Sequence, residues 1–106
     1  MDEFIQVAKS NEVKERFAIS VTVNDKAIAV FRYNGKLYAL RDSCPHQAAP
    51  ISNGYVDEGF AVCPQHGWKF RLEDGSFSHN ELMKIPTYEV KEEKGIIFIN
   101  PDLNAK

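Results

Sequence analysis

The chain has 106 residues, of which 43% are hydrophobic and 26% are charged, a profile typical of one ordinary globular domain over residues 1–106 and not of a disordered or fibrous protein. Its formal net charge of -2 provides no basic surface of the kind that nucleic-acid binding requires. The N-terminus MDEFIQVAKS has no secretory signal, and no span of about 18 apolar residues follows it. We therefore expect a cytoplasmic protein with no nucleic-acid or membrane partner.

The first half of the chain carries strong strand signals. Apolar and polar residues alternate in FAISVTV at residues 17–23, which predicts a half-buried strand. Residues 27–33 and 36–41 are rich in β-branched and aromatic side chains and flank Asn34-Gly35, a pair that favours a type I′ hairpin turn. The only helical signal is the short stretch SNEVKERF, where Asn11 is the expected cap.

The C-terminal part repeats this pattern. IPTYEV and GIIFIN, at residues 85–90 and 95–100, predict two strands separated by a charged turn at residues 92–95. Pro86 is expected on an edge or at a strand start, because proline cannot donate a ladder hydrogen bond. With many short strands and hardly any helix, the predicted fold class is all-β.

Residues 42–75 differ in kind, because prolines and glycines surround short apolar runs. We expect a small subdomain of tight loops there, in which GYVDEGFAVC forms a hairpin. The same segment holds both cysteines and two of the three histidines of the chain. They are arranged as C-x-H at Cys44 and His46, then sixteen intervening residues, then C-x-x-H at Cys63 and His66.

Thiolate and imidazole donors at such short spacing converge on one centre only where the backbone turns sharply, and the neighbouring prolines and Gly67 favour such turns. The same four donors would satisfy a tetrahedral zinc site in a non-redox binding domain. A disulfide between Cys44 and Cys63 would leave the two histidines unexplained. A cysteine nucleophile with a histidine base would give the duplicated pairing no role.

The segments CPHQAAPISNGYV and VCPQHGWKFRLEDG closely resemble the two cluster-binding loops of the Rieske [2Fe-2S] proteins. The resemblance covers all four donors, both prolines, the HGW step and the two glycine turns, and it implies an antiparallel β-sandwich or barrel base with a small cluster-binding subdomain. It also implies one [2Fe-2S] cluster per chain, with Cys44 and Cys63 on one iron and His46 and His66 on the other. The histidine-bound iron is then the one that is reduced.

Rieske proteins of respiratory complexes have an extra cysteine in each loop and hydroxyl groups after the second loop, and this chain lacks both. Ala49 or a neighbour and Gln65 stand at the cysteine positions, and Trp68 and Phe70 at the hydroxyl positions. Fewer hydrogen bonds to sulfur stabilise the reduced state less. We therefore expect a potential in the lower part of the family span of about -150 to +300 mV.

Chains of this kind resemble the ferredoxin components of bacterial ring-hydroxylating oxygenase systems, which pass single electrons from a flavin reductase to a terminal oxygenase. The small subunit of an NAD(P)H-dependent nitrite reductase is the alternative that the resemblance leaves open. Either reading makes the chain an electron-transfer protein and not itself an enzyme.

Relatives cover the cluster with a third loop that often contains proline, whereas SFSHNELMK at residues 76–84 has none. Ser78, His79 and Asn80 are candidates for a polar cover, although a single loop histidine is most often a solvated surface residue. We expect Trp68 to give apolar support beneath the cluster.

Overall fold

The computed structural model describes residues 4–43, 50–64 and 67–101. Apart from two short 3-10 helices, Ser10–Glu12 and Ile51–Asn53, the regular elements in this part of the chain are strands. This confirms the all-β fold class.

Six strands form an antiparallel sheet that is the base of the molecule. Its strands are β1 (Ile5–Lys9), β2 (Ala18–Val23), β3 (Lys26–Tyr33), β4 (Lys36–Arg41), β10 (Thr87–Glu93) and β11 (Ile96–Asn100). Their spatial order is β1-β11-β10-β4-β3-β2. The edge strands β1 and β2 line one common groove, so the sheet is nearly closed into a barrel.

A second antiparallel sheet has five strands in sequence order. It contains the hairpin expected in GYVDEGFAVC and three further strands that the loop-rich sequence did not indicate. The strands are β5 (Tyr55–Asp57), β6 (Phe60–Val62), β7 (Lys69–Arg71), β8 (Ser76–Phe77) and β9 (Asn80–Lys84).

Four hairpins turn through two successive residues with positive φ, the geometry of type I′ turns, which matches the twist of the strands that they join. Two of them lie at or within the turns expected at Asn34-Gly35 and residues 92–95, and a third lies in the hairpin expected in GYVDEGFAVC. The turn residues are Asn24-Asp25, Asn34-Gly35, Glu58-Gly59 and Lys94-Gly95.

The strands predicted in the first half and at the C-terminal part are confirmed, with β4 matching its predicted bounds and β2, β3 and β11 differing by one residue at one end. Strand β10 begins two residues later and ends three residues later than predicted, so Glu92 and Glu93 belong to the strand and not to the turn. Pro86 lies immediately before β10, as its missing N–H requires. The expected cap at Asn11 is wrong, because Asn11 lies inside the 3-10 turn and the contact there runs from the Lys9 N–H to the Glu12 carboxylate, 3.2 Å.

Two hydrophobic cores result. The base core contains only residues of the six-stranded sheet and of the segment between β1 and β2: Val13, Val23, Ile28, Val30, Leu37, Ala39, Tyr88, Ile97 and Ile99. The shared core joins Ala29, Phe31 and Leu40 of that sheet to Ile51, Val56, Ala61, Cys63, Phe70, Leu72, Phe77 and Ile85. Strand β3 is therefore buried on both faces, and it connects the two cores.

Candidate metal centre

Of the four predicted ligands, the structure places one. Cys63 follows β6 directly and is 1% exposed. Cys44, His46 and His66 lie outside the described residues, as do Ala49 and Gln65. The geometry of the ligand set thus remains a prediction, whereas the segments that lead into and out of both loops are defined.

The second ligand loop is closed by backbone hydrogen bonds. The Gly67 N–H donates to the Cys63 carbonyl (2.9 Å), and the Cys63 N–H donates to the Trp68 carbonyl (2.7 Å). Gly67 has a φ of +73°, in the left-handed region that glycine adopts without a steric penalty. The chain therefore returns on itself between Cys63 and Trp68, and Cys63 at the start of this span is buried.

The first ligand loop is held at its base by a buried carboxylate. Asp42, at the end of β4, is 7% exposed. It accepts hydrogen bonds from the Ser52 N–H (2.8 Å) and the Ser52 hydroxyl (2.7 Å). Since Ser52 lies in the 3-10 turn after the loop, this contact fixes where the chain leaves the base and where it returns.

The two loops are brought side by side through Gly54 and Val62. Tyr55 pairs with Val62 in the β5–β6 hairpin, and Gly54, just before it, has its backbone against the Val62 carbonyl. Gly54 ends the return of the first loop, and Val62 immediately precedes Cys63. The hairpin predicted in this segment thus places the second loop beside the base of the first.

Trp68 is half-buried and stacks on Phe77, with ring centroids 4.4 Å apart and an interplanar angle of 20°. Phe77 packs in turn against Phe70, at 5.4 Å. The expected supporting role of Trp68 therefore has a physical basis: its ring joins the second ligand loop to the shared core.

Ser78 and His79 are exposed on the turn between β8 and β9, and Asn80, the first residue of β9, is exposed as well. The His79 ring meets Phe77 edge-on at a centroid distance of 5.4 Å, so this turn packs against the same ring on which Trp68 stacks. Within the described ranges, no group of three or more His, Cys, Asp or Glu side chains could hold a metal ion, and His79 therefore joins no such cluster there.

Residue spacing gives no signal for Asp42 or Phe77 as parts of the site. The Asp42–Ser52 contact spans ten residues of sequence, and the Trp68–Phe77 stack is a tertiary contact between the second ligand loop and β8. A carboxylate directly before a ligand loop is the only sequence feature that could have pointed to the first of them.

Comparison with known proteins identifies the family. The sequence profile of the Rieske [2Fe-2S] domain matches residues 3–89. The chain is 34% identical over 91 residues to the ferredoxin component of the naphthalene 1,2-dioxygenase/salicylate 5-hydroxylase systems of a Ralstonia species, covering 85% of this chain and 88% of that protein. It is 41% identical over 88 residues to a 4beta-methylsterol monooxygenase of Methylococcus capsulatus, covering 70% of this chain but only 23% of that enzyme.

Solved structures agree with this assignment. A ferredoxin of Sphingomonas yanoikuyae B1 superposes with a TM-score of 0.82 at 25% identity, covering 94% of this chain and all of that one. A structure of an oxygenase and ferredoxin complex of carbazole 1,9a-dioxygenase contains a chain that matches with a TM-score of 0.81 at 28% identity, covering 93% of this chain and 29% of that one. The similarity therefore extends both to free-standing ferredoxins and to parts of larger proteins.

The donor chemistry fits the cofactor of that family. Cys63 supplies a thiol sulfur, the soft ligand that iron-sulfur clusters require, and it does so at a position enclosed by the core.

In the part of the chain that the structure covers, we find no helix with the length and apolar character needed to span a bilayer.

Proposed function

Because this chain belongs to the Rieske [2Fe-2S] family, we propose that it is a one-electron carrier that delivers electrons to a terminal oxygenase. A Rieske-type [2Fe-2S] cluster is the cofactor of this family. The observation that carries the proposal is the match to ferredoxin components over nearly their whole length. Ferredoxins carry electrons and do not transform a substrate, which agrees with the expectation that the chain is not itself an enzyme.

For the ligands we propose Cys44 and Cys63 on one iron, and His46 and His66 on the other. The cluster would supply a site that accepts and releases a single electron. Neutral imidazoles bring no negative charge, so the histidine-bound iron is easier to reduce than a thiolate-bound one. The buried position of Cys63 and the closed loop from Cys63 to Trp68 support a rigid thiolate side that excludes water.

The protein contributes mainly geometry. The Asp42–Ser52 contact fixes the base of the first ligand loop, and the Gly54–Val62 contact places the second ligand loop beside it. The Trp68–Phe77 stack supports the second loop from the shared core. We expect a ligand set held by these contacts to change shape little between oxidation states. Fast electron transfer depends on such a small rearrangement.

For the electron donor we propose a flavin-dependent reductase, and for the acceptor a terminal oxygenase, with the chain acting as one domain over residues 1–106 in the cytoplasm. The complex of oxygenase and ferredoxin among the similar structures supports the acceptor. The shared core supports a single domain, because residues of both sheets contribute to it.

Metal analysis of the purified protein tests the cofactor. We expect two irons and two acid-labile sulfides per chain, a reddish-brown colour and bleaching by dithionite. A colourless protein with one zinc per chain would show the zinc-domain alternative instead.

Protein-film voltammetry of the iron-loaded protein should give a midpoint potential in the lower part of the family span. A strongly positive midpoint would contradict the expected scarcity of hydrogen bonds to sulfur.

Reconstituted turnover tests the carrier role. Reduced protein mixed with an oxygenase of a ring-hydroxylating system should be reoxidised in step with product formation. The acidic patches at residues 56–59 and 91–95 could steer a basic partner, but Asp57 contacts Lys69 (3.1 Å) and Glu93 contacts Lys91 (3.7 Å). We therefore expect only a modest fall of the transfer rate with salt, while a carrier that no oxygenase reoxidises would contradict the proposal.

A further inference from the structure

Two large aromatic side chains are exposed in one region of the surface, where the two sheets meet. Phe17 is 56% exposed and Tyr55 is 49% exposed. The carbonyl of Arg16, in the peptide unit before Phe17, accepts a hydrogen bond of 3.0 Å from the N–H of Val56, in the peptide unit after Tyr55. The two aromatic residues therefore flank one backbone contact. Neighbouring exposed rings of this size are typical of an interaction site.

Arg16 holds this region in one conformation. Its N–H donates to the Arg32 carbonyl at 2.7 Å, and its carbonyl accepts from Val56, so its backbone bridges the base and the second sheet. Its φ of +71° lies in the left-handed region, which residues other than glycine rarely adopt and which the surrounding contacts must maintain. A surface fixed in this way loses little conformational entropy when a partner binds.

The charge of this region is positive. Lys14 and Arg16 are exposed, and none of the ion pairs found among the described residues includes either of them. The carboxylate of Glu15, between them in sequence, instead accepts from the N–H groups of Asn34 and Gly35. A partner with complementary charge therefore has an acidic surface.

The same region adjoins the one ligand that the structure places. Tyr55 lies directly opposite Val62 in the β5–β6 hairpin, and Val62 immediately precedes Cys63. Opposite Cα atoms of paired strands are at most about 5.5 Å apart, and one peptide unit adds about 3.8 Å. The Cα atoms of Tyr55 and Cys63 are thus within about 9 Å of each other, so a protein seated on Tyr55 would reach the cluster-binding end of the second sheet.

Building on the proposed function, which names the acceptor, we propose that Lys14, Arg16, Phe17 and Tyr55 form a docking patch for an acidic surface of the terminal oxygenase. Aromatic residues and arginine are the types in which the binding energy of interfaces concentrates. The two rings supply the apolar contact, and the two cations select a partner of opposite charge. An oxygenase and ferredoxin complex among the similar structures supports an oxygenase as the occupant.

Stopped-flow reoxidation separates docking from electron transfer. Reduced, iron-loaded protein is mixed with increasing concentrations of the oxygenase component of the Ralstonia naphthalene 1,2-dioxygenase/salicylate 5-hydroxylase systems, whose ferredoxin is 34% identical to this chain. Phe17→Ser and Tyr55→Ser should each raise the half-saturating oxygenase concentration about tenfold, with the limiting rate and the reduction potential unchanged. Lys14→Gln should raise it about threefold at low salt and weaken its dependence on ionic strength.

Leu82→Ser is the matched control. Leu82 is 94% exposed, but β9 lies at the opposite edge of the second sheet from β5, four strand spacings or about 19 Å away. Its half-saturating concentration should equal that of the wild type. Should Phe17→Ser lose its iron, Phe17→Leu removes the ring but keeps an apolar side chain, and a rise of about threefold is expected.

The proposal is overturned if both iron-loaded ring variants keep the wild-type half-saturating concentration, or if Leu82→Ser raises it by as much as they do. It is also overturned if the ring variants weaken only the docking of the reductase component of the same system, because the patch would then serve the electron donor.

These outcomes are distinguishable from failure of the proposed function. If the wild type transfers no electron to the oxygenase, the proposed acceptor and the docking patch fail together. If the wild type reduces the oxygenase and the ring variants do so with the same saturation curve, only the docking patch is refuted.

Discussion

Gly54 packs its backbone against the Val62 carbonyl so closely that position 54 has no room for a Cβ atom. This contact sets the return of the first ligand loop against the residue that precedes Cys63. The spacing between the two ligand loops therefore depends on glycine at position 54, because any side chain there would push the loops apart.

Gly54→Ala should force the two backbones apart. We expect a loss of about 1–3 kcal/mol in the free energy of unfolding and a lower iron content per chain, measured by urea denaturation and metal analysis. Gly35→Asn is the matched control, because a Cβ there meets nothing within 4 Å and asparagine tolerates positive φ. Full iron content in Gly54→Ala would show that the loop spacing is adjustable.

His66→Cys tests the ligand assignment. Replacing a neutral imidazole by a charged thiolate adds negative charge to the cluster, so the potential should fall and the visible spectrum should change. The comparison variant is His79→Gln, since His79 is exposed on the β8–β9 turn, and its spectrum should match the wild type. An unchanged spectrum for iron-loaded His66→Cys would argue against His66 as a ligand.

The stack of Trp68 on Phe77 should contribute measurably to stability. Phe77→Leu removes the ring that supports Trp68 and leaves a gap in the shared core, so we expect a loss of about 1–2 kcal/mol in the free energy of unfolding. Thermal or urea denaturation measures this loss. Ser78→Ala, an exposed neighbour, should change the value by less than about 0.5 kcal/mol.

Arg32 ties the N-terminal segment to the base. Its guanidinium donates to the Val13 carbonyl (2.8 Å) and to the carbonyl and hydroxyl oxygens of Ser10 (3.0 and 2.6 Å). Arg32→Met leaves those acceptors without their donor, and we expect a loss of about 2–3 kcal/mol. Arg32→Lys should keep more of the stability than Arg32→Met but less than the wild type, because an ammonium lacks the planar fork of donors.

The matched control for Arg32 is Lys14→Met, since Lys14 is exposed and its replacement should be nearly neutral. Urea denaturation of all three variants gives the comparison. Equal losses for Arg32→Met and Lys14→Met would show that the guanidinium contacts contribute little.

Asp74 provides a pH-dependent contribution. The backbone N–H of Ser76 (2.9 Å) and then its hydroxyl hold the pKa of the Asp74 carboxyl below its ordinary value of 3.8. A carboxyl whose pKa is lower in the folded state stabilises the fold above its unfolded pKa, and this stabilisation is lost as the pH falls through the folded value. Because Asp74 is half-exposed, solvent screening keeps the effect small.

Urea denaturation of wild type and Asp74→Asn at several pH values measures that contribution. The difference in stability between the two proteins should be constant near neutral pH and should shrink below about pH 4. Glu73→Gln, in the same turn, is the control. A difference that does not vary with pH would mean that the Ser76 contacts do not favour the charged form.

Local sequence patterns were sufficient for the central strands of the base. Two-residue alternation and Asn34-Gly35 define the β3–β4 hairpin because the geometry of a type I′ turn requires positive φ at both positions. Strand β1 was not predictable in this way, since its register with β11 shifts between Gln6 and Ala8 and its partner is distant in sequence. Strand β9 escapes prediction because Leu82 in its middle is 94% exposed, so an apolar residue there does not mark a buried face.

For the candidate centre, the sequence indicates the type of donors but not what holds them. Cysteine and histidine spacing is a local property, so the four ligands could be proposed without coordinates. The support that Asp42 receives from Ser52, and Trp68 from Phe77, depends on tertiary contacts between segments that no short motif links.

The division into two cores determines which part of the fold should survive when oxygen destroys the cluster. The base core takes no residue from either ligand loop, so oxidative loss of iron and sulfide should leave the six-stranded barrel intact. We expect the emptied chain to persist as a folded acceptor for a new cluster, and repair would then require only the inorganic parts to be replaced.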